Sequence, residues 1–250
     1  MAGPSEAGTK KPTISSGSDP IDKALLGGLT LGSFSLISGP SGSGKSVLTQ
    51  HLAYGALMGE LGVAYYVSGM TTEDLIAKMK SLYLDVTPNL KEGQLRLRAV
   101  TDFYGAGGAK GTLDRLYKDM KDLPWEFSVI VVDSLTSVMN QADSENALLF
   151  FVACKEVCSW EKAIIMALHT SAVDPDLLKR LDRLFDNHLS LRLEGLTTGM
   201  QRKSMNVIDI EKVRNTILKR KTSIYYEVDP ELGRSMNMSL KVLPFFKVRT

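Results

Sequence analysis

Residues 39–46 read GPSGSGKS, and the segments on either side of them restrict the fold more than any other feature of the chain. The short apolar run FSLIS, 34–38, leads straight into the glycines. From Lys45 onward, Leu48, Leu52, Ala56 and Leu57 recur on one face of a helix that Gly59 and Gly62 break. A strand, a glycine loop and a helix in that order make a cradle for phosphate. The glycines allow backbone angles that turn successive N–H groups into one concavity, and the helix N-terminus adds positive potential. The pattern G-x-x-x-x-G-K-[ST] is met by Gly39, Gly44, Lys45 and Ser46. Lys45 suits the outer phosphates of a nucleotide and the Ser46 hydroxyl suits a magnesium ion. The candidate nucleotide-binding residues are therefore Gly39, Pro40, Ser41, Gly42, Ser43, Gly44, Lys45, Ser46 and Val47.

The alternation continues along the chain. Strand-like runs at 63–68 (VAYYVS), 95–99 (LRLRA), 128–133 (SVIVVD) and 163–168 (AIIMAL) are separated by helical patterns. One such pattern follows Thr71–Thr72 with Leu75, Ile76, Met79 and Leu82 on a face, and another spans 144–160. Strands alternating with helices predict a parallel sheet covered on both faces. The last third differs: HLSLRL (188–193), NVIDI (206–210) and SIYYEV (223–228) read as strand, turn, strand, which suits antiparallel additions at one edge. The expected fold class is α/β, with a central, mostly parallel sheet flanked by helices and antiparallel C-terminal edge strands. Ahead of the loop, DPIDKALLGG reads as a short helix capped by Asp19 and ended by Gly27–Gly28.

With 250 residues, 44% of them hydrophobic and 23% charged, the chain is long enough for one well-buried domain. That domain is expected over 14–250, behind a flexible lead-in at 1–13 rich in Gly, Pro, Ser and Lys. No apolar run approaches the roughly 18 residues that span a bilayer, and the N-terminus lacks a secretory centre, so a cytoplasmic location is expected. Two cysteines are too few for a disulfide framework. A net charge of +2 supplies no global field toward nucleic acid.

Magnesium also needs a carboxylate across from Ser46, and Asp133, which closes the run SVIVVD, supplies one. An acid in that place can also cap the next helix, but beside the glycine loop the metal reading is favoured. Other features are assigned blander roles. GAGGAKG, 105–111, reads as a mobile loop, and Cys154 and Cys158 read as core residues on one helical face. Trp125 and Trp160 are expected to pack. LKRKT, 218–222, reads as a solvated turn or as a basic patch for an acidic partner or lipid headgroups.

The lead-in ISSGSDPIDKALLGGLTLGSFSLISGPSGSGKS resembles the KaiC-like branch of the RecA-fold ATPases, which sets a short helix and a Gly-Gly-Leu turn before its phosphate loop. The resemblance continues through Asp133, through LHTS at 168–171 and through EKVRN at 211–215, covering about 14–230. The tail YYEVDPELGRSMNMSLKVLPFFKVRT is similar in arrangement to the single-domain archaellar (archaeal flagellar) members of that branch. These likenesses imply a RecA-like P-loop fold that binds ATP and Mg2+. They also imply His169 and Thr170 as sensors of the γ-phosphate, with an ordinary strand end as the alternative. Lys212 and Arg214 fall where the family reaches the nucleotide of a neighbouring subunit, with a solvated basic strand end as the alternative. The trans-acting reading requires a homo-oligomeric ring, most simply a hexamer. The implied partners are the archaellum motor ATPase and its membrane platform protein, at the inner face of the cell membrane.

The sequence departs from that family at one place. KaiC-like ATPases carry a glutamate, often a pair, just past the second strand of the fold. Here VAYYV is followed by Ser68, Gly69 and Met70, none of which accepts a proton usefully near neutral pH. Glu73 and Asp74 read as first-turn helix residues, with a displaced catalytic acid as the alternative. No catalytic residue is assigned. The favoured expectation is an ATP-holding, ring-forming assembly component with slow or no hydrolysis. The alternative is an active ATPase, on DNA as in recombinases of the same fold. DNA is not expected as a partner, because TSAVDPDLLKRLDRLFDN is charge-balanced and helix-patterned, with Leu177, Leu178, Leu181 and Leu184 in register.

Overall fold

In the computed structural model, which describes residues 12–172, 174–198, 201–214, 216–228 and 240–242, the strand before the glycine loop is the middle one of nine. A two-stranded ribbon, β1 (Thr13–Ile14) with β2 (Leu29–Thr30), brackets helix α1 (Asp19–Ala24) and precedes β3 (Phe34–Gly39). There follow α2 (Lys45–Met58), β4 (Gly62–Val67), α3 (Thr72–Ser81), α4 (Thr87–Lys91), β5 (Leu95–Ala99) and α5 (Gly108–Lys121). Next come β6 (Phe127–Asp133), α6 (Thr136–Met139), α7 (Ser144–Ser159), β7 (Ala163–His169) and α8 (Pro175–Leu181). Four strands complete the sheet: β8 (Asn187–Thr198), β9 (Gln201–Val213), β10 (Thr216–Val228) and β11 (Leu240–Val242). The order is β11-β10-β9-β8-β3-β7-β6-β4-β5. All pairs from β8 to β5 are parallel, whereas β9, β10 and β11 pair antiparallel. This is the mostly parallel α/β sheet with an antiparallel edge that the sequence predicts.

The central strands are apolar on both faces because each face meets helices. Alternate residues feed separate cores, as the period of two requires. Ile37, Tyr65, Val131 and Ile165 pack on one face with Leu48 and Leu52 of α2 and Leu75 of α3. Leu36, Tyr66, Ile130 and Met166 pack on the other with Leu116 of α5, Phe151 of α7 and Leu181 of α8. Each such side chain contributes about 1.5–3 kcal/mol by leaving water, so a charge at Ile165 would break the centre of the sheet. The edge is one-sided. Leu189, Leu191, Ile208 and Ile210 join the first core. On the opposite face Arg192 donates to Asp209 Oδ2 at 2.8 Å and pairs with Glu194.

Four local expectations need correction. Asp19 does not cap α1: Ser18 is the N-cap, and it is Asp22 that reaches back to accept from the Ser16 backbone N–H at 2.8 Å and the Ser15 hydroxyl at 2.5 Å. GAGGAKG is not a loop throughout. Gly107, at φ 87°, is the N-cap of α5, and Gly111 lies in its first turn, where a Cβ would stand 2.3 Å from the Ala106 carbonyl oxygen. The glycines serve this tight entry. Trp125 and Trp160 do not pack inside, being 84% and 44% exposed. The turn expected at 218–222 is strand, because pairing with β9 carries β10 through the basic run with a register shift between Ile217 and Thr222. The side chains of 218–221 lie outside the described residues.

Cys154 and Cys158 are both buried on α7, and burial pushes the Cys158 thiol up to about 12. Among the described residues no helix is long and apolar enough to cross a membrane.

Candidate functional site

β3 ends at Gly39, opposite His169 of β7, and the chain turns through Pro40–Gly44 into α2. Two glycines of this loop are required by neighbours within the fold as well as by any ligand. A Cβ on Gly39 would lie 2.4 Å from the Leu191 carbonyl oxygen, and one on Gly44, at φ 91°, would lie 2.1 Å from the Tyr226 hydroxyl. That hydroxyl donates to the Ser43 carbonyl at 3.1 Å, so a residue of β10 props the loop from behind. Tyr226 was not singled out in the sequence. No local signal marks a side chain that arrives from so far along the chain.

Lys45 opens α2, and its ammonium donates to the Gly39 and Pro40 carbonyls at 2.9 and 2.7 Å. Burial lowers its pKa, and the charge of Asp133 works the other way. One residue on, Ser46 Oγ donates to Asp133 Oδ1 at 3.0 Å. The other carboxylate oxygen of Asp133 accepts from Tyr65 Oη at 2.9 Å and lies 3.1 Å from Thr49 Oγ1. Asp133 is buried, which raises its pKa, while the three hydroxyl donors pull it back. Thr49 and Tyr65 went unread in the sequence because both sit inside apolar patterns that explain them as core.

Lys45, Ser46 and Asp133 face one cavity of about 440 Å³, walled also by Ser41, Gly42 and Gly44 of the loop, by Val47, and by Ser134, Thr136 and His169. His169 is oriented by its neighbours. Its Nδ1 accepts from the Ser171 backbone N–H at 3.2 Å, which places a ring proton on Nε2, and its own N–H donates to Thr136 Oγ1 at 3.0 Å. Thr170 is exposed and stands outside the cavity lining, with its N–H donating to the Gly39 carbonyl at 3.3 Å. The resemblance implies His169 with Thr170, whereas the cavity takes His169 with Thr136.

The remaining wall comes from α3, which the chain enters from the end of β4. The Ser68 N–H donates to the Asp133 carbonyl at 2.8 Å, and Gly69 turns the chain at φ 79°. Glu73 and Asp74 are exposed in the first turn of α3. Asp74 closes a capping box with Thr71, whose hydroxyl accepts from the Asp74 N–H at 3.1 Å. Its own backbone N–H and the Thr72 hydroxyl hold the Glu73 carboxylate below the usual range. Neither acid lines the cavity, but Lys78, one turn further along α3, does. The signal for Lys78 was its spacing four residues after Asp74 on the polar face of the helix.

Lys212 and Arg214 are not brought to this cavity. Lys212 pairs with His188, which in turn pairs with Leu36, three residues before Gly39 and toward the opposite end of β3. It is neither solvated nor free, being buried with its ammonium donating to the Asp182 carbonyl at 2.9 Å. Arg214 is exposed and donates to the Leu26 carbonyl at 3.0 Å.

The donor set fits a magnesium nucleotide. Glycine positions that no Cβ can fill keep the cradle open, and Ser46 with Asp133 presents the hard oxygens that magnesium takes. The family model for KaiC-type ATPases matches residues 14–232. Among curated proteins, the chain is 26% identical over 235 residues to the archaeal flagellar ATP-binding protein FlaH of Sulfolobus acidocaldarius, covering 92% of this chain and 96% of that one. It is 27% identical over 222 residues to the protein of the same name from Methanocaldococcus jannaschii, covering 88% and 93%. The crystal structure of the flagellar accessory protein FlaH from Methanocaldococcus jannaschii superposes with a TM-score of 0.73 over 94% of this chain and 100% of that one, at 24% identity. That likeness establishes the RecA-like fold.

Proposed function

The chain belongs to the KaiC family of ATPases, and from that premise we propose that it is an ATP-holding accessory component of an archaeal flagellar motor, with slow or no turnover. The observation that carries this reading is the composition of the cavity. Lys45, Ser46 and Asp133 converge on it, yet among the described residues Asp133 is its sole carboxylate lining. Asp133 is committed to the metal side through Ser46, so no second acid remains to orient water at the outer phosphate.

In this reading the backbone N–H groups of the loop and the Lys45 ammonium bind the phosphates, with Lys45 exchanging its two loop carbonyls for phosphate oxygens. Ser46 and Asp133 hold the magnesium ion, which would neutralise phosphate charge. Tyr65 and Thr49 keep the Asp133 carboxylate aimed at Ser46. His169, donating from Nε2, meets the outer phosphate. Loss of a water-orienting group costs about 10²- to 10⁴-fold in rate, whereas binding is little affected.

Ring formation in this reading rests on the family resemblance at Lys212 and Arg214. Both lie away from their own glycine loop, and to meet a neighbour's phosphate they would exchange the Asp182 and Leu26 carbonyls that they hold here. A homo-hexameric ring with nucleotide at its boundaries would then dock on the motor ATPase and its membrane platform at the inner face of the membrane. Nucleotide shifts the population toward whichever state contacts its phosphates, and no cleavage is needed. The relatives named for the archaeal flagellum support the choice of assembly. The test is to load the chain with Mg·ATP, separate it from free nucleotide, and follow both the bound nucleotide and the molecular mass. Intact ATP retained on a ring is expected; rapid phosphate release overturns the reading.

A further inference from the structure

α3 presents one charge to the cavity that the set above leaves unused. Lys78 lines the same space as Lys45, Ser46 and Asp133, but comes from α3. Its surroundings differ from those of the other lysines near the sheet. Lys45 donates to two loop carbonyls, Lys162 to the Pro124 and Phe127 carbonyls, and Lys155 to Asp186, whereas among the described residues the Lys78 ammonium has no hydrogen bond or ion pair. The helix that carries it is firmly seated. The Thr71–Asp74 capping box fixes its start, and Leu75 and Met79, on either side of Lys78 along the chain, are buried. A cation on a rigid helix, lining the cavity and held among the described residues by no hydrogen bond or ion pair, is a site for an anionic ligand, its charge being felt within the protein by Asp133 across the same space. Asp133 draws on it least: the hydroxyls of Tyr65, Ser46 and Thr49 favour the ionised carboxylate more than the charge of Lys78 does.

We propose that Lys78 is a second cationic contact for the terminal phosphate of the bound nucleotide, opposite Lys45, and that it makes the site tell a triphosphate from a diphosphate. The inference rests on the nucleotide-holding reading above and assigns it a specificity residue. Its logic lies in where α3 hangs. The helix follows Ser68 and Gly69 after two residues, and the Ser68 N–H ties that strand end to the Asp133 carbonyl at 2.8 Å. A carboxylate on that wall orients solvent and repels the phosphate. A lysine stabilises the phosphate and leaves solvent alone. The same wall thus carries a ligand for the intact triphosphate in place of a group that destroys it, and a diphosphate, which stops short of it, gains nothing.

The test uses the full chain with Lys78→Gln and Lys78→Arg, titrated with fluorescent ATP and ADP analogues in magnesium. A half-solvated ion pair of this kind is worth about a fivefold change in affinity. Lys78→Gln is therefore expected to weaken ATP about fivefold while ADP stays within about twofold, and Lys78→Arg to stay near the parent for both. The difference should shrink as salt is raised. Because Lys78 is exposed, unfolding of the ligand-free chain should not move. Equal losses for ATP and ADP, or no loss for either, would overturn the proposal. A parent chain that binds neither nucleotide would be a separate result, overturning the nucleotide-holding reading itself.

Discussion

The two walls of the cavity are built on different terms. Where β3, α2 and β6 meet, nearly every polar group holds another: Lys45 the loop carbonyls, Ser46 and Tyr65 the two oxygens of Asp133, Tyr226 the back of the loop. Where β4 runs into α3, Ser68 and Gly69 carry nothing that reaches a phosphate, the nearby acids cap their own helix, and Lys78 alone faces inward. Under the proposed function, the difference teaches that gripping a nucleotide and splitting it hang on separate strand ends of this fold. One can be lost while the other keeps its geometry.

The comparison is broken most severely at Lys45. Lys45→Ala should weaken Mg·ATP binding by about 10²- to 10³-fold, and nucleotide-dependent assembly should vanish with it. Nucleotide titration and light scattering on the same samples check this, and assembly that survives would detach ring formation from the site. On the other wall, Ser68→Glu should restore part of the missing chemistry and raise phosphate release by about tenfold, a fraction of the roughly 10²- to 10⁴-fold that a positioned acid contributes. Ser68 is the better choice for this experiment, since Gly69 sits at φ 79° and resents a side chain. A variant that binds ATP but shows no faster release would mean that this strand end does not face the phosphate.

Smaller effects sharpen the contrast. Gly44→Ala should cost about 1–3 kcal/mol of stability, from the left-handed backbone and the collision with the Tyr226 hydroxyl. Tyr226→Phe should return part of that loss in the double variant, which thermal unfolding would reveal as non-additivity. Last comes the charge buried at Asp133. Burial favours its protonated form, so its folded pKa lies above the unfolded one, and the stability it contributes is present at acid pH and lost as pH rises through the folded value. The ligand-free Asp133→Asn chain should therefore melt higher than the parent at neutral pH, with the gap closing on acidification. Magnesium-dependent binding should run the opposite way, failing as acid protonates the parent carboxyl from a higher pH than an ordinary aspartate would require.

Much of this was legible along the chain where neighbours in sequence are neighbours in space. The run FSLIS, the glycines and the helical stripe from Leu48 to Leu57 are local, so strand, loop and helix fell where the patterns put them. The capping of α3 by its own Thr71 and Asp74 is equally local. Asp133 at the end of an apolar run was legible because a parallel sheet brings its strand ends to one side. The misses have the opposite character. GAGGAKG looked like loose chain because glycine clusters usually are, but contacts between Ala106 and Gly111 wind it into a helix entry. Trp125 and Trp160 were expected inside on chemistry alone, and the packing of α7 and the turn before β6 left them outside. Thr170 follows His169 in sequence, yet it lies in the exposed turn past the end of β7, so the neighbour of His169 in the site is Thr136 of another segment.

What the amino-acid order by itself determined is a phosphate loop set between a strand and a helix, an acid at a neighbouring strand end, and no acid after β4. Each follows from residue types a few positions apart. What the tertiary structure alone decided is which distant side chains close on that loop. Tyr226 reaches a residue 183 positions away and takes the space that Gly44 leaves. Lys78 is aimed into the cavity, and Lys212 is drawn to the Asp182 carbonyl instead. Direction in space depends on how helices and strands pack against one another, and the period of a single segment carries no record of that.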